Sequence, residues 1–276
     1  MNVYVISNTP TADPLGQRCR AVLGYKNVLD VSTFSGHEWY ETYAASYPFS
    51  NAYDYRTNTE WSPLAASGSV TIGFYQTSPS YISYLGIFSK NAEQANLGFS
   101  VRVFNNLTDS WVDCGSRASF GDGKPQMLTF DPIFSAYQEI TFTFTQRVYI
   151  ASISMGEAII FGKTVSTGYQ PARNASLDEV SQFSTDGNNF VQGRRITNGH
   201  QERAAIKRLA YEEIDAWWRE FMNHVLDSKP FFFMANNQKQ TQAVYGIQNP
   251  SSLPKPAYTT SALTDDIQFE ISGWAS

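Results

Sequence analysis

The sequence predicts a mainly β protein, with an N-terminal antiparallel β-sandwich and a C-terminal α+β module that contains one long amphipathic helix. Three observations indicate this fold class. β-branched and aromatic residues recur in short runs, of which residues 81–88 and 97–104 are examples. Turn sequences such as residues 121–125 separate these runs at short intervals. The spacing of a helix with one apolar face is convincing in a single segment, at about residues 212–226.

The clearest strand prediction falls on residues 139–145. Ile140, Phe142 and Phe144 point to one side, and three threonines alternate with them on the other. This alternation predicts a sheet with one buried and one solvated face. Strands this short and this closely spaced are typical of an antiparallel sandwich or jelly roll rather than of a parallel sheet with crossover helices.

We predict three parts along the chain. Residues 1–162 hold the strands of the sandwich. Residues 163–201 are rich in Ser, Thr, Asn, Gln and Gly and poor in apolar residues, which indicates a polar arm or linker. Residues 202–276 form the α+β module, in which the helix precedes a buried strand at residues 231–234 and a final alternating strand at residues 266–272.

The predicted helix carries a continuous apolar stripe. The residues that recur at helical spacing are Ile214, Trp217, Trp218, Phe221, Met222, Val225 and Leu226. Acidic residues occupy the first turn, where the helix dipole favours negative charge, and Pro230 marks a stop soon after the last turn. We interpret Trp217, Trp218 and Phe221 as the face through which the helix joins a core or an assembly partner.

The composition narrows the function classes. Of 276 residues, 20 are Lys or Arg and 25 are Asp or Glu, giving a net charge of −5, while aromatic residues reach 15%. Many aromatics argue against disorder, and the negative balance argues against a nucleic-acid-binding face. No apolar run is long enough to cross a bilayer, so we expect no membrane insertion. Cys19 and Cys114 are too few and too far apart for a disulfide framework, and we interpret both as buried free thiols.

Motifs that carry catalysis are absent from the sequence, which has no Gly-x-Ser-x-Gly elbow, phosphate-binding loop or dinucleotide-binding fingerprint. None of the three histidines has a partner at the spacing of a zinc site or a catalytic pair, and His224 borders the apolar stripe, where a packing role fits best. Asp109 and Asp113 flank Trp111 and leave a calcium-binding loop as an open alternative. We predict no catalytic residue, no metal site and no cofactor.

An aromatic run is the strongest candidate for a binding surface. It includes Trp39, Tyr40, Tyr43 and Tyr53, with Glu, Asn and Arg nearby. A sugar ring presents apolar C–H groups on one face and hydroxyls at its edge, so aromatic faces beside polar residues suit carbohydrate binding. The same residue types are common in cores between sheets and at protein interfaces, and that alternative stays open.

Residues 51–61 contain a short motif that includes Asp54 and Trp61. This segment is similar to the Ala-x-Asp … Thr-x-Trp segment of discoidin-like, or galactose-binding-like, jelly rolls, and the resemblance covers about residues 35–160. It implies a jelly-roll sandwich. In that family the Asp and Trp of the segment are mainly structural, so the resemblance marks Asp54 and Trp61 as fold markers and not as ligand contacts.

A second motif covers residues 194–233, where Arg-Arg-Ile, Ala-Trp-Trp and Lys-Pro-Phe-Phe-Phe follow one another. This stretch resembles structural proteins of tailed-bacteriophage tails, of the distal tail or baseplate type. The resemblance implies a ring of copies, typically hexameric, that joins the tail tube to the tip or baseplate. The order differs from that group, because here the sandwich precedes the tail-like module.

These inferences favour a non-enzymatic virion structural protein of a phage tail, made in the host cytoplasm. Its expected partners are copies of itself and the neighbouring tail tube and tail tip proteins. The alternative is a carbohydrate-binding module or receptor-binding component that recognises a host surface glycan through the aromatic run. A third alternative is a glycoside hydrolase that pairs carboxylates such as Glu38 and Glu41.

Overall fold

The fold is that of a computed structural model, which describes residues 20–30, 46–118, 120–122, 124–162, 165, 176–183, 191–210, 214–237, 243–248, 257–258 and 264–275. Its strands are β1 (Val22–Gly24), β2 (Gly68–Ser89), β3 (Gly98–Asn105), β4 (Ser110–Ala118), β5 (Pro125–Phe144), β6 (Ile150–Gly156), β7 (Ile159–Ile160), β8 (Ser176–Phe183), β9 (Val191–Ala210), β10 (Phe231–Met234), β11 (Ala243–Gln248), β12 (Ala257–Tyr258) and β13 (Thr264–Ala275). The helix α1 is Trp218–Leu226, and 3₁₀ helices lie at Val28–Asp30 and Phe49–Ala52. The pairing is antiparallel in both sheets, which confirms the mainly β fold class.

Five strands form the first sheet, sheet I, in the order β4-β3-β5-β2-β6. Its centre is the pairing of β2, with 22 residues, and β5, with 20 residues. These two strands run together from Gly68 opposite Phe144 to Phe88 opposite Pro125. β3 and β4 extend the sheet beside the C-terminal half of β5, whereas β6 pairs with the C-terminal half of β2. One end of the β2–β5 pair is therefore flanked by β3 and β4, and the other end by β6.

The second sheet, sheet II, joins strands from both ends of the chain. Its order is β7-β1-β10-β11-β13-β9-β8, and β12 pairs with β13. Leu23 of β1 lies opposite Phe233 on one side and Ile159 on the other. Sheet II thus combines strands from all three predicted parts of the chain, residues 1–162, 163–201 and 202–276. Its hairpin β8–β9 lies largely in the predicted polar arm. The three-part division stays a prediction, and the strand pairing does not follow it.

Three apolar clusters hold these layers together. On one face of sheet I, the main core gathers inward residues of β2, β3, β5 and β6 together with Phe49 and Trp61. The opposite face of sheet I packs on sheet II through a second cluster, which includes Tyr84, Phe232 and Tyr245. A third cluster lies on the far face of sheet II, where α1 packs. The alternation predicted for residues 139–145 is confirmed, since its apolar side chains are buried in the main core.

The predicted helix is interrupted at residues 216–217. α1 itself spans nine residues, Trp218–Leu226, and Ile214 and Asp215 before it are also helical, but Trp217 has φ −125° and ψ −14°, outside the helical region. The stripe nevertheless continues through this turn, in which the Trp217 N–H donates to the Ile214 carbonyl at 3.2 Å. Trp217 and Phe221 are buried and Trp218 is half-buried, so these residues pack into the third core. In the part of the chain that the structure describes, no helix has the length and apolar character to span a membrane.

Candidate functional site

Of the four residues named in the predicted aromatic run, the structure describes only Tyr53. Trp39, Tyr40 and Tyr43 lie outside the described residues, as do Glu38 and Glu41 of the hydrolase alternative. The Tyr53 ring is half-buried and packs against the main core, with its centroid 5.6 Å from that of Phe49. This position of Tyr53 matches the core alternative for that residue better than a sugar-stacking surface.

Asp54 and Trp61 make local structural contacts. The Asp54 carboxylate accepts the Arg56 N–H at 2.8 Å and the Thr59 hydroxyl at 2.7 Å, which closes the loop between them. Trp61 is 1% exposed, and its backbone exchanges two hydrogen bonds with Ile150 at 2.8 and 2.9 Å. These are contacts of a folded loop and a core side chain, and the role of the two residues as markers of a discoidin-like fold stays a prediction.

A different surface of sheet I combines exposed aromatic and charged side chains. It lies on the face opposite the main core, the same face that packs on sheet II. Sheet II covers only the end of this face near Tyr84 and Phe88. At the other end, the outward side chains of β2, β3, β4 and β5 stay half-buried or exposed. We call the covered end the covered half and the other the open half.

Four aromatic residues form a continuous row across the open half. The strand register places Trp111 opposite Phe104, Phe104 opposite Tyr137, and Tyr137 opposite Tyr75. Trp111 is 39% exposed and Tyr75 is 40% exposed, although aromatic side chains of this size are usually more deeply buried. We call Trp111, Phe104, Tyr137 and Tyr75 the aromatic row.

The next row along the strands is polar. It consists, in register, of Asp113, Arg102, Glu139 and Gly73, and we call these four residues the polar row. The Arg102 Nε donates to the Glu139 carboxylate, and the guanidinium carbon lies 4.6 Å from the centroid of the Trp111 ring. Arg102 is thereby held by an ion pair and a cation–π contact at once, which fixes a long cationic side chain beside the aromatic row.

The rings of the aromatic row are not parallel to one another. Those of Trp111 and Tyr137 meet at 73° with centroids 5.4 Å apart. Tyr137 leans across Gly73, because a Cβ atom built on Gly73 would lie 3.0 Å from its hydroxyl oxygen. The two rings therefore form a corner rather than a flat plate. The aromatic row and the polar row together are called the sheet-face platform from here on.

This platform offers two kinds of contact within one patch. The π faces and edges of the aromatic row can pack against apolar C–H groups. The carboxylates, the guanidinium and the tyrosine hydroxyls can donate and accept hydrogen bonds with hydroxyl or amino groups. Beyond the polar row, the Thr71 and Thr141 hydroxyls lie 2.9 Å apart and continue the polar surface. No proton-transfer pair or nucleophile is evident among these residues.

Sequence reasoning missed the platform, although it had one usable signal. The alternation in residues 139–145 predicted a solvated face, and Glu139 belongs to that face. Trp111 was noted only as the neighbour of Asp109 and Asp113. What was missing is the register, because strands far apart in sequence bring Trp111, Tyr137 and Tyr75 into one row.

A second cluster of titratable groups lies where α1 meets the segment after β1. Lys26 forms ion pairs with Glu157 at 3.1 Å and with Glu220 at 3.3 Å. His224 meets the rings of Tyr25 and Tyr55 at centroid distances of 5.6 and 5.8 Å. Burial lowers the pKa of His224, which favours the neutral ring. These contacts give His224 the packing role predicted for it and hold three chain segments together.

The described residues give no support to the calcium alternative. Among them, no group of three or more His, Cys, Asp or Glu side chains is placed to hold a metal ion. Cys114 is half-buried and free, and its burial next to Asp113 raises the pKa of the thiol to about 12. This thiol therefore stays protonated at neutral pH. Cys19 lies outside the described residues.

Comparison with known proteins gives similarities of fold at low sequence identity. No protein-family model and no curated protein sequence matches the chain. A solved pectin-binding carbohydrate-binding module is similar, with 20% identity and a TM-score of 0.36, over 46% of this chain and 88% of that one. The module CBM32-1 from a family 31 glycoside hydrolase of Clostridium perfringens has 16% identity and a TM-score of 0.39, over 48% and 99%. A Ruminococcus gnavus GH29 fucosidase has 14% identity and a TM-score of 0.37, over 42% of this chain and 23% of its own.

These TM-scores are too low to indicate a ligand for this chain, so any ligand has to be inferred from its own residues. The discoidin-like jelly roll stays a prediction beyond the confirmed fold class. None of the similar structures named above is a phage tail protein, and the tail assignment likewise stays a prediction.

Proposed function

We propose that this chain is a non-enzymatic glycan-binding protein that holds a carbohydrate chain on the sheet-face platform. The observation that carries the proposal is the aromatic row, exposed on a sheet face and flanked by the polar row. The sequence suggested glycan binding as an alternative, through a different set of aromatics. Of that set the structure describes Tyr53, whose ring is half-buried against the main core rather than exposed on a sheet face.

The chemistry of the platform fits a sugar better than a purely apolar ligand. Aromatic faces and edges at 73° to each other can contact both the C–H face and the rim of a pyranose ring. Arg102 and Glu139 sit where they can exchange hydrogen bonds with ring hydroxyls. Because the ion pair already holds Arg102 in place, binding requires little further ordering of that side chain.

The direction of the aromatic row favours an oligosaccharide over a single sugar. The row crosses four strands at right angles to their axes. The Trp111 ring leans over Phe104 to within 5.4 Å of the Tyr137 ring, and Tyr75 lies one inter-strand gap beyond Tyr137, so the rings span about 10 Å. Such a length accommodates two sugar units in an extended chain. We therefore expect affinity to rise from mono- to oligosaccharides and to level off once the row is filled.

Substitution of Trp111 by Ala tests the proposal. Binding of a glycan panel, measured by affinity electrophoresis and calorimetry, should identify ligands whose affinity falls about tenfold, ~1.4 kcal/mol, in Trp111→Ala. Leu107→Ala is the matched control, because Leu107 is 72% exposed on the same β3–β4 hairpin but lies outside the platform. If the panel gives no ligand, or if Trp111→Ala and Leu107→Ala bind equally well, the platform does not bind glycans.

The ring of a phage tail is the second candidate, and it rests on the sequence resemblance alone. An exposed aromatic row also suits a protein interface. Self-association of the wild-type chain that Trp111→Ala abolishes, without glycan binding, would favour that role. The hexameric ring, the tail tube and tail tip partners and the virion location stay predictions, of which this measurement tests the self-association that a ring requires.

A further inference from the structure

We propose that the sheet-face platform discriminates glycans by charge, accepting sugars that bear an amino group and rejecting sugars that bear a carboxylate. Asp113 is the residue that decides between them. This inference rests on the proposed function, since it names the class of glycan that the same platform takes. It follows from the distribution of charge within the polar row.

The polar row has more negative than positive charge. It contains two carboxylates, Asp113 and Glu139, and one guanidinium, Arg102. Arg102 pairs with Glu139, whose side chain is 14% exposed. Asp113 lies opposite Arg102 in the register, yet it has no ion-pair partner within 4.0 Å among the residues that the structure describes. The surplus negative charge of the platform is therefore at Asp113.

Asp113 is placed to contact a sugar that packs on Trp111. The two residues are two positions apart on β4, so their side chains leave the same face of the sheet, about 7 Å apart along the strand. Both are exposed. A pyranose ring against Trp111 would carry its substituents to the neighbourhood of Asp113. An ammonium group there gains an ionic hydrogen bond, and a carboxylate there meets a like charge.

Arg102 does not reverse this preference. Its Nε donates to Glu139, and its guanidinium carbon lies 4.6 Å from the centroid of the Trp111 ring. Its Nη groups can still donate hydrogen bonds, but their positive charge is already balanced by the Glu139 carboxylate. A sugar carboxylate would therefore bring a third negative charge to a row that holds one guanidinium.

Three oligosaccharides of equal length and identical linkage provide the test: oligomers of glucose, glucosamine and glucuronic acid. Calorimetry is carried out at low ionic strength and at a mildly acidic pH, which keeps the amine of glucosamine protonated. We expect the glucosamine oligomer to bind several-fold tighter than the glucose oligomer and the glucuronate oligomer several-fold weaker, so that the two extremes differ by about tenfold. In Asp113→Asn this difference should shrink to about twofold.

Asp131→Asn serves as the matched control. Asp131 is exposed on β5 and lies eight residues before Glu139, roughly 25 Å along the strand. It removes the same charge from a chain of net charge −5. If Asp131→Asn reduces the preference as much as Asp113→Asn does, the discrimination comes from the overall charge, and the assignment of Asp113 is wrong.

The result also separates this inference from the proposed function. Glucuronate oligomers that bind the wild type as tightly as glucosamine oligomers, with loss of both in Trp111→Ala, would overturn charge selection and leave glycan binding intact. If no oligomer binds and the wider panel gives no ligand, the proposed function itself fails. A glucosamine preference that Asp113→Asn removes and Asp131→Asn keeps would support both.

Discussion

The covered half and the open half of sheet I are built on the same two strands, yet they present opposite surfaces. In the covered half, β2 presents Tyr84, Gly86 and Phe88 to sheet II. In the open half, the same face carries Arg102 and Glu139 beside the aromatic row. Burial of that ion pair under sheet II would remove both charges from water, and the attraction between them would not fully offset the cost of that desolvation. The charges therefore disfavour packing of sheet II on the open half.

The two halves also use glycine differently. A Cβ atom on Gly86 would lie 2.5 Å from the Phe232 ring, which belongs to sheet II. A Cβ atom on Gly73 would lie 3.0 Å from the hydroxyl of Tyr137, a neighbour within sheet I. In the covered half the missing side chain makes room for the other layer, and in the open half it makes room for a ring of the platform.

Hydroxyl groups in the covered half have partners within the protein. The Tyr84 hydroxyl donates to the Lys26 carbonyl at 2.7 Å and lies 2.7 Å from the Ser154 hydroxyl. The Ser152 hydroxyl lies 2.9 Å from that of Tyr245. Buried hydroxyls require such partners. No described residue bonds to the hydroxyls of Tyr75 and Tyr137 in the open half, and a ligand can use them.

The largest effect is expected from Phe232→Ala. Phe232 is fully buried between the sheets, against Gly86 and with its ring centroid 4.5 Å from that of Tyr245. Its loss leaves a cavity, so we expect the free energy of unfolding to fall by about 3–5 kcal/mol. Urea denaturation followed by fluorescence measures this. A loss below about 1 kcal/mol would mean that the two sheets do not depend on this contact.

Part of this contrast was predictable from the sequence. The alternation of residues 139–145 identified the buried and the solvated face, because period-two patterning is a local property. The fit of Gly86 to Phe232 was not predictable, because it joins residues far apart in the chain. The break in the predicted helix was not predictable for a related reason. Ile214 is helical and Trp217 lies in the turn at residues 216–217, yet both satisfy the apolar spacing, so the pattern alone does not locate the break.

A matched pair of glycine substitutions sharpens the comparison. Gly86→Ala forces a methyl group into the Phe232 ring, and we expect a loss of about 1–3 kcal/mol in the free energy of unfolding. Gly73→Ala meets only the outer end of Tyr137 and should cost less than about 1 kcal/mol. Urea denaturation of both variants under the same conditions compares them. Equal losses would show that the two halves are packed alike.

Gly73→Ala should instead reduce glycan affinity. The added methyl group displaces the Tyr137 ring, which forms the corner with Trp111. We expect a few-fold loss of affinity for whichever oligosaccharide the wild type binds. Calorimetry checks it, with Gly86→Ala as the control at a temperature where both variants are folded. Unchanged affinity in Gly73→Ala would mean that the position of Tyr137 does not matter for binding.

Trp111→Ala should lower the free energy of unfolding by only about 1 kcal/mol, since the ring is 39% exposed on an edge strand and loses its contacts with Phe104 and Tyr137. Thermal unfolding and urea denaturation measure this. The expected separation, with glycan affinity lost and stability largely kept, is the reverse of that expected for Phe232→Ala. A large loss of stability would place Trp111 among the structural residues and would weaken the case for a binding surface.

The smallest effect concerns pH and lies outside the open half. Burial is the main cause that lowers the pKa of His224, so the unfolded chain takes up a proton at higher pH than the folded chain does. The stability that the neutral His224 ring contributes is therefore complete above the unfolded pKa, near 6.5, and it is lost as the pH decreases below that value. His224→Gln should flatten this part of the profile in urea denaturation. Glycan affinity should not follow the same titration, because no histidine belongs to the platform. If the affinity falls together with stability below about pH 6.5, protonation of His224 beside α1 affects the open half, and the two regions are coupled.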